Sequence, residues 1–100
     1  MAGFIPLSDG RKVVASSAVA EPLVDAEQYC TPVVLQAETD NTGVVVIGAD
    51  ATLAHAATAR HGITLSAGDF ITIPGIKDLR NIWLVSSVNG DGVTYLYTQE

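Results

Sequence analysis

The sequence predicts an all-β fold, a small antiparallel β-sandwich or barrel of about seven strands with an extended N-terminal arm. Three observations carry this expectation. Val, Ile and Thr number 12, 7 and 9, a large share for residues that favour the pleated, half-buried surface of a strand. Short apolar runs recur between turn signals made of Gly, Pro, Asn and Asp. No stretch between those runs has the length and apolar face of a crossover helix, so the strands should pair antiparallel. With 48% apolar and 16% charged residues, the 100-residue chain is too hydrophobic and too weakly charged to be disordered, and it is long enough for one modest core.

Taken in order, residues 1–25 read as the extended arm and residues 26–100 as the sandwich. Phe4, Ile5 and Leu7 lie among Pro and Gly; docking on a neighbour and packing on the chain's own sheet account for them equally well. A turn at Ser8-Asp9-Gly10 leads to a short strand at Lys12–Ala15, and Leu23-Val24 extends the pairing after Pro22, which restricts that segment to a sheet edge. Val33–Ala37 and Gly43–Ile47 read as a hairpin closed by Asp40-Asn41-Thr42-Gly43, whose Asx side chains are expected to bond their own turn. The continuously apolar Val44–Ile47 should be buried on both faces.

Asp50–His61 is rich in alanine, with Asp50 placed as an N-cap, yet Leu53 is its one large apolar anchor; a loop is favoured over a short helix. Ile63–Leu65 and Phe70–Ile73 flank a turn at Ser66–Asp69. The final hairpin joins Ile82–Val88 to Val93–Thr98 through Asn89-Gly90-Asp91-Gly92. In the last strand Val93, Tyr95 and Tyr97 share one face, and Thr94, Leu96 and Thr98 the other.

The composition excludes several functions. A net charge of −6 and the absence of any basic tract argue against nucleic acid. No apolar run approaches the ~20 residues that span a bilayer, and the N-terminus lacks the basic and apolar regions of a signal peptide. Cys30 is the single cysteine, which leaves no intrachain disulfide and fits a reducing cytoplasm. His55 and His61 stand six apart, outside the spacing of a metal pair on one helix face. No nucleophile elbow or phosphate-binding glycine loop occurs, so no catalytic, cofactor or metal residues are assigned and an enzyme is not expected. Trp83, Tyr95, Tyr97, Phe70, Phe4 and Tyr29 are candidates to line a sugar or peptide groove, with Trp83 and the two C-terminal tyrosines expected on neighbouring strands; core packing and subunit contacts consume such residues more often.

Val34–Gly43, Val45–Gly48, Gly62–Asp69, Ile71–Pro74, Ile82–Val85 and Gly92–Tyr97 together resemble small structural proteins of tailed bacteriophages. The likeness covers most of the chain and rests on strand and turn patterns, with Val13–Ser17 and Ala20–Leu23 also fitting. It implies a virion component made in the host cytoplasm. The first expectation is a capsid decoration (cement) protein binding the shell in symmetric copies, with a trimer as the initial guess; collar, neck or tail proteins are the alternatives. The implied partners are other virion proteins and further copies of the chain. Phe4, Ile5, Leu7, Trp83, Tyr95 and Tyr97 are the candidate contacts. A carbohydrate- or host-surface-binding module is the alternative from another class.

Overall fold

Alternation decides what each strand buries. In the computed structural model, which describes residues 7–17, 19–56, 58–75 and 78–99, the last strand turns Val93 and Tyr97 inward and Thr94 and Leu96 outward. Eight strands form: β1 (Leu7–Val13), β2 (Glu21–Pro22), β3 (Cys30–Ala37), β4 (Val45–Gly48), β5 (Ile63–Leu65), β6 (Phe70–Ile73), β7 (Trp83–Ser86) and β8 (Gly92–Gln99). They build two four-stranded antiparallel sheets, sheet A in the order β1-β8-β3-β6 and sheet B in the order β2-β7-β4-β5. The expected all-β, sandwich-like antiparallel architecture is therefore present.

The connectivity differs from the expected one. β3 and β4 do not pair with each other, nor do β7 and β8; each couple is split between the two sheets. The same holds for β5 and β6. Both expected hairpins are arches that carry the chain across the core, and β4–β5 is the one pair of consecutive strands that lie side by side. An arch and a hairpin place the same turn residues between the same apolar runs. They differ in whether the two strands bond backbone to backbone or face each other through their side chains.

The two long turns, each closed by a backbone bond of its own, are also fastened to one another. The Asp91 carboxylate accepts from the backbone N–H of Thr42 at 3.2 Å and of Gly43 at 2.7 Å. Asn41 exchanges two hydrogen bonds with the Gly92 backbone, donating through Nδ2 at 2.9 Å and accepting through Oδ1 at 3.0 Å. Ser87 Oγ accepts from the Val44 N–H at 2.9 Å. A Cβ on Gly43 would stand 2.1 Å from that Oγ, so the clasp closes only around glycine.

The main core lies between the sheets. Val33, Leu35, Ala37, Val93 and Tyr97 face it from sheet A, and Val45, Ile47, Leu65 and Leu84 from sheet B; Val14, Leu23, Leu79 and Ile82 close it from the connections. Each fully buried leucine of this group contributes roughly 1.5–3 kcal/mol. Val46 and Val85 point the other way, under Leu53, Ala20 and Trp83. The apolar β4 is thus buried on both faces as expected, because the 49–62 connection folds back over sheet B. Among its described residues that connection is a loop with isolated turns, without helix.

The N-terminal segment expected as an arm joins the sandwich from Leu7 onward. Ser8-Asp9-Gly10 is strand rather than turn, since β1 runs through it against β8 with Gly10 opposite Tyr95. The Tyr95 ring lies where a Gly10 side chain would be, 2.4 Å from an ideal Cβ, so the glycine makes room for the tyrosine. Val14 and Leu23 are core residues, and β2 pairs with β7 through Glu21 and Pro22 rather than Leu23 and Val24. Phe4 and Ile5 lie outside the described residues. Pro32, inside the central strand β3, coincides with a register shift between Cys30 and Val33; the bulge accommodates a residue that has no N–H to give.

Candidate docking face

The inner side of sheet A is core, and its outer side carries four of the eight exposed large apolar side chains among the described residues, including the two most exposed. Residues directly opposite in an antiparallel ladder share a face. The registers therefore set Asp9, Leu96, Val34 and Thr72 in one outward row across the four strands, and Arg11, Thr94, Gln36 and Phe70 in the next. Leu7 and Val13 belong to the same face on β1. Phe70 and Leu7 are each 67% exposed and Leu96 45%. These apolar side chains, set among Asp9, Arg11, Thr94 and Gln36 on one strand-built face, make it the candidate contact surface.

A shallow groove of about 610 Å³ crosses this face between Asp9, Arg11, Val34, Gln36, Thr94 and Leu96. It runs towards a more polar depression of about 340 Å³ at Gln36, Glu38, Thr39, Asp40 and Thr94. Small-molecule sites bury most of their ligand in a concave pocket; this groove is open and suits a broad contact better. Arg11 reaches across β8 and its Nε and NH2 both donate to Glu38, the second bond at 3.2 Å. The Glu38 carboxylate raises the Arg11 pKa above its ordinary value, first by hydrogen bonding and then by charge.

Of the described residues singled out from sequence, Leu7 from the candidate contacts and Phe70 from the aromatic set belong to this face. Trp83, Tyr95 and Tyr97 do not form a shared strip. Trp83 stands on β7 of sheet B, half-buried against Val46, Leu53 and Val85. Tyr95 and Tyr97 stack on the inner side of sheet A, with ring centroids 5.9 Å apart and planes at 25°. Tyr97 is 9% exposed, and burial raises the Tyr95 phenol above its ordinary pKa, with Tyr97 and Asp9 adding to the effect. Sequence adjacency of β7 and β8 suggested neighbouring strands; the arch between them puts these rings in separate sheets. Phe70 was expected only among the aromatic residues lining a groove, and Leu96, Val13 and Arg11 went unremarked as contacts. The alternation of β8 already placed Leu96 on the side opposite the tyrosines, which was the available signal.

The two histidines both lie in the 49–62 loop. Thr52 Oγ1 and His61 Nε2 are 3.5 Å apart, and Arg60 donates to the His55 carbonyl at 2.8 Å and 3.1 Å. Among the described residues no three of His, Cys, Asp and Glu gather as metal ligands would. Asp50 bonds the Thr52 N–H at 3.0 Å within its own turn, and Thr52 holds its carboxyl below the usual range.

A second polar cluster is structural. Asp78 is buried and accepts from the backbone N–H of Gln28 at 3.2 Å and of Arg80 at 2.9 Å, and from the Arg80 guanidinium at 2.9 Å and 3.1 Å. These bonds lower its pKa, the Arg80 N–H foremost. They cap the single 3₁₀ turn, Leu79–Asn81, and pin the start of β3 to it through the Tyr29–Asp78 bridge.

No family model, curated protein or solved structure matches the chain.

Proposed function

We propose that the chain is a non-enzymatic structural component of a bacteriophage virion, a capsid decoration (cement) protein that docks in symmetric copies through the outer face of sheet A. The observation that carries the docking part is the exposure of Phe70, Leu7 and Leu96 on one strand-built face whose reverse side is the core. The backbone of such a face is held in place, because the ladder bonds and the packed inward side chains fix the strands that carry the outward ones. Rigidity lowers the ordering cost of binding a repeating lattice. The virion setting rests on the resemblance in strand and turn pattern. Among the described residues no helix is long and apolar enough to cross a membrane.

The test is cosedimentation of the purified protein with empty heads of the phage whose genome encodes it. Binding is expected, and F70D/L96D should abolish it while leaving the far-UV spectrum intact. An encoding genome without shell genes, or binding indifferent to the double variant, would refute the reading. Neck and tail fractions in the same experiment separate decoration from a collar or tail role. The carbohydrate reading drew on a shared Trp83, Tyr95 and Tyr97 strip; with those rings in separate sheets, a protein partner is the better match. Removal of residues 2–6 tests an arm without cutting into β1, which begins at Leu7.

A further inference from the structure

β1 ends sheet A, and its pairing to β8 uses one edge only. In an antiparallel ladder successive residues point their N–H and C=O alternately to one side and the other. Val14 donates its N–H to Asp91, on the β8 side. The odd-numbered residues Leu7, Asp9, Arg11 and Val13 therefore present theirs to the open edge.

The same four residues read as a self-complementary strand. In an antiparallel pairing of β1 with a second β1 about Gly10, Asp9 lies opposite the other copy's Arg11 and Arg11 opposite its Asp9. Leu7 meets Val13 at each end. Gly10 meets Gly10 on the two-fold axis. Every charged pair is of opposite sign, every end pair is apolar, and the members of each of these pairs both have outward-pointing backbone groups. A shift by two residues in either direction sets Asp9 against Asp9 or Arg11 against Arg11, so charge selects one register. The five N–H donors of Arg11 leave it able to bond an incoming Asp9 while it bonds Glu38.

We infer that β1 is a homodimerisation edge: two copies of this chain join through Leu7–Val13 into one continuous eight-stranded sheet with isologous two-fold symmetry. The dimer lays the two outer faces of sheet A side by side, with the exposed leucine and phenylalanine side chains of both copies on the same surface. It holds independently of the virion reading and replaces a trimer as the smallest closed assembly.

The test is sedimentation velocity on the purified chain over a concentration series, alongside D9R, R11D, the double swap D9R/R11D and V13P. The wild-type chain should dimerise. D9R and R11D each oppose like charges twice across the axis and should raise the dissociation constant about tenfold or more. The double swap restores opposite signs and should return it to within about threefold of wild type. V13P deletes an outward N–H without touching the β8 ladder and should leave a folded monomer. Far-UV circular dichroism and Trp83 emission establish that each variant is folded, and the rescue by the double swap keeps the test decisive where a single variant is not. A wild-type chain that stays monomeric to millimolar concentration overturns the inference. So does a dimer unmoved by D9R and V13P.

Discussion

Replacing Asp91 by alanine should unfasten the two arches. Its carboxylate takes the N–H of Thr42 and of Gly43, and in its absence neither has another acceptor within the clasp. A hydrogen bond to an ionised acceptor contributes about 1.5–3 kcal/mol net. Thr42 is exposed, so water replaces much of its bond, whereas Gly43 is half-buried behind Ser87 and Val88. The expected loss is therefore about 2–4 kcal/mol, somewhat under the summed range of about 3–6, or roughly 10–25 °C in Tm for a domain of this size. Asp91→Asn keeps one acceptor oxygen and should fall between. Asp40→Ala removes an exposed carboxylate from the same turn and should change stability by less than about 0.5 kcal/mol. Urea unfolding followed by Trp83 emission, with the Asp40 variant as control, measures all three. An Asp91→Ala protein within 0.5 kcal/mol of the Asp40 variant would show that the arches hold without the clasp, and the reasoning fails.

Leu53→Ala should cost about 2–3 kcal/mol by uncovering Val46 and Val85, and amide exchange of β4 and β5 should quicken with it. Gly62 has φ +86°, and a Cβ there would meet the Ile47 carbonyl oxygen at 2.1 Å; Gly62→Ala is expected to destabilise by at least 2 kcal/mol in thermal melts, roughly the cost of a strained backbone plus a backbone clash. Asp78 and Glu21 both have lowered pKa values, Asp78 through the Arg80 N–H and Glu21 through its 2.9 Å bond to Lys12. A carboxylate held below its ordinary value stabilises the fold above its unfolded pKa, so their contribution is complete above about pH 5 and is lost as pH falls through and below about 4. Melts from pH 7 to pH 2.5 check this, and in Glu21→Gln the acid-side drop should be shallower.

Much of the fold was legible because local rules fix it. Period-two alternation in β8 sorted Tyr97 from Leu96, and the unbroken apolar run of β4 announced burial on both faces. The turns at Asp40–Gly43 and Asn89–Gly92 were also visible as turns. Their destination was not, because Asn and Asp side chains bond their own backbone in a hairpin turn and another loop's backbone in an arch, with the same sequence in both. Everything drawn from sequence adjacency went astray with that choice, including the shared strip of Trp83, Tyr95 and Tyr97. The docking face was hidden for a related reason. Leu7, Phe70 and Leu96 come from the two ends and the middle of the chain, and only the register of β1, β8, β3 and β6 sets them on one surface.

β8 is the last strand in the chain and sits between β1 and β3, while β7 just before it sits between β2 and β4. Each sheet is thus held together by a strand from the C-terminal fifth of the sequence. During synthesis, β1 has no neighbour until residue 92 has left the ribosome, and β3 has only the short β6. The domain cannot accumulate structure from its N-terminal strands as helical repeats do; most of its pairing waits until β7 and β8 have been made and then requires closure of long loops. Folding on the millisecond-to-second scale of non-local β proteins follows. Until then the apolar β4 run lacks its β7 neighbour, and the net charge of −6 sets nascent copies repelling one another.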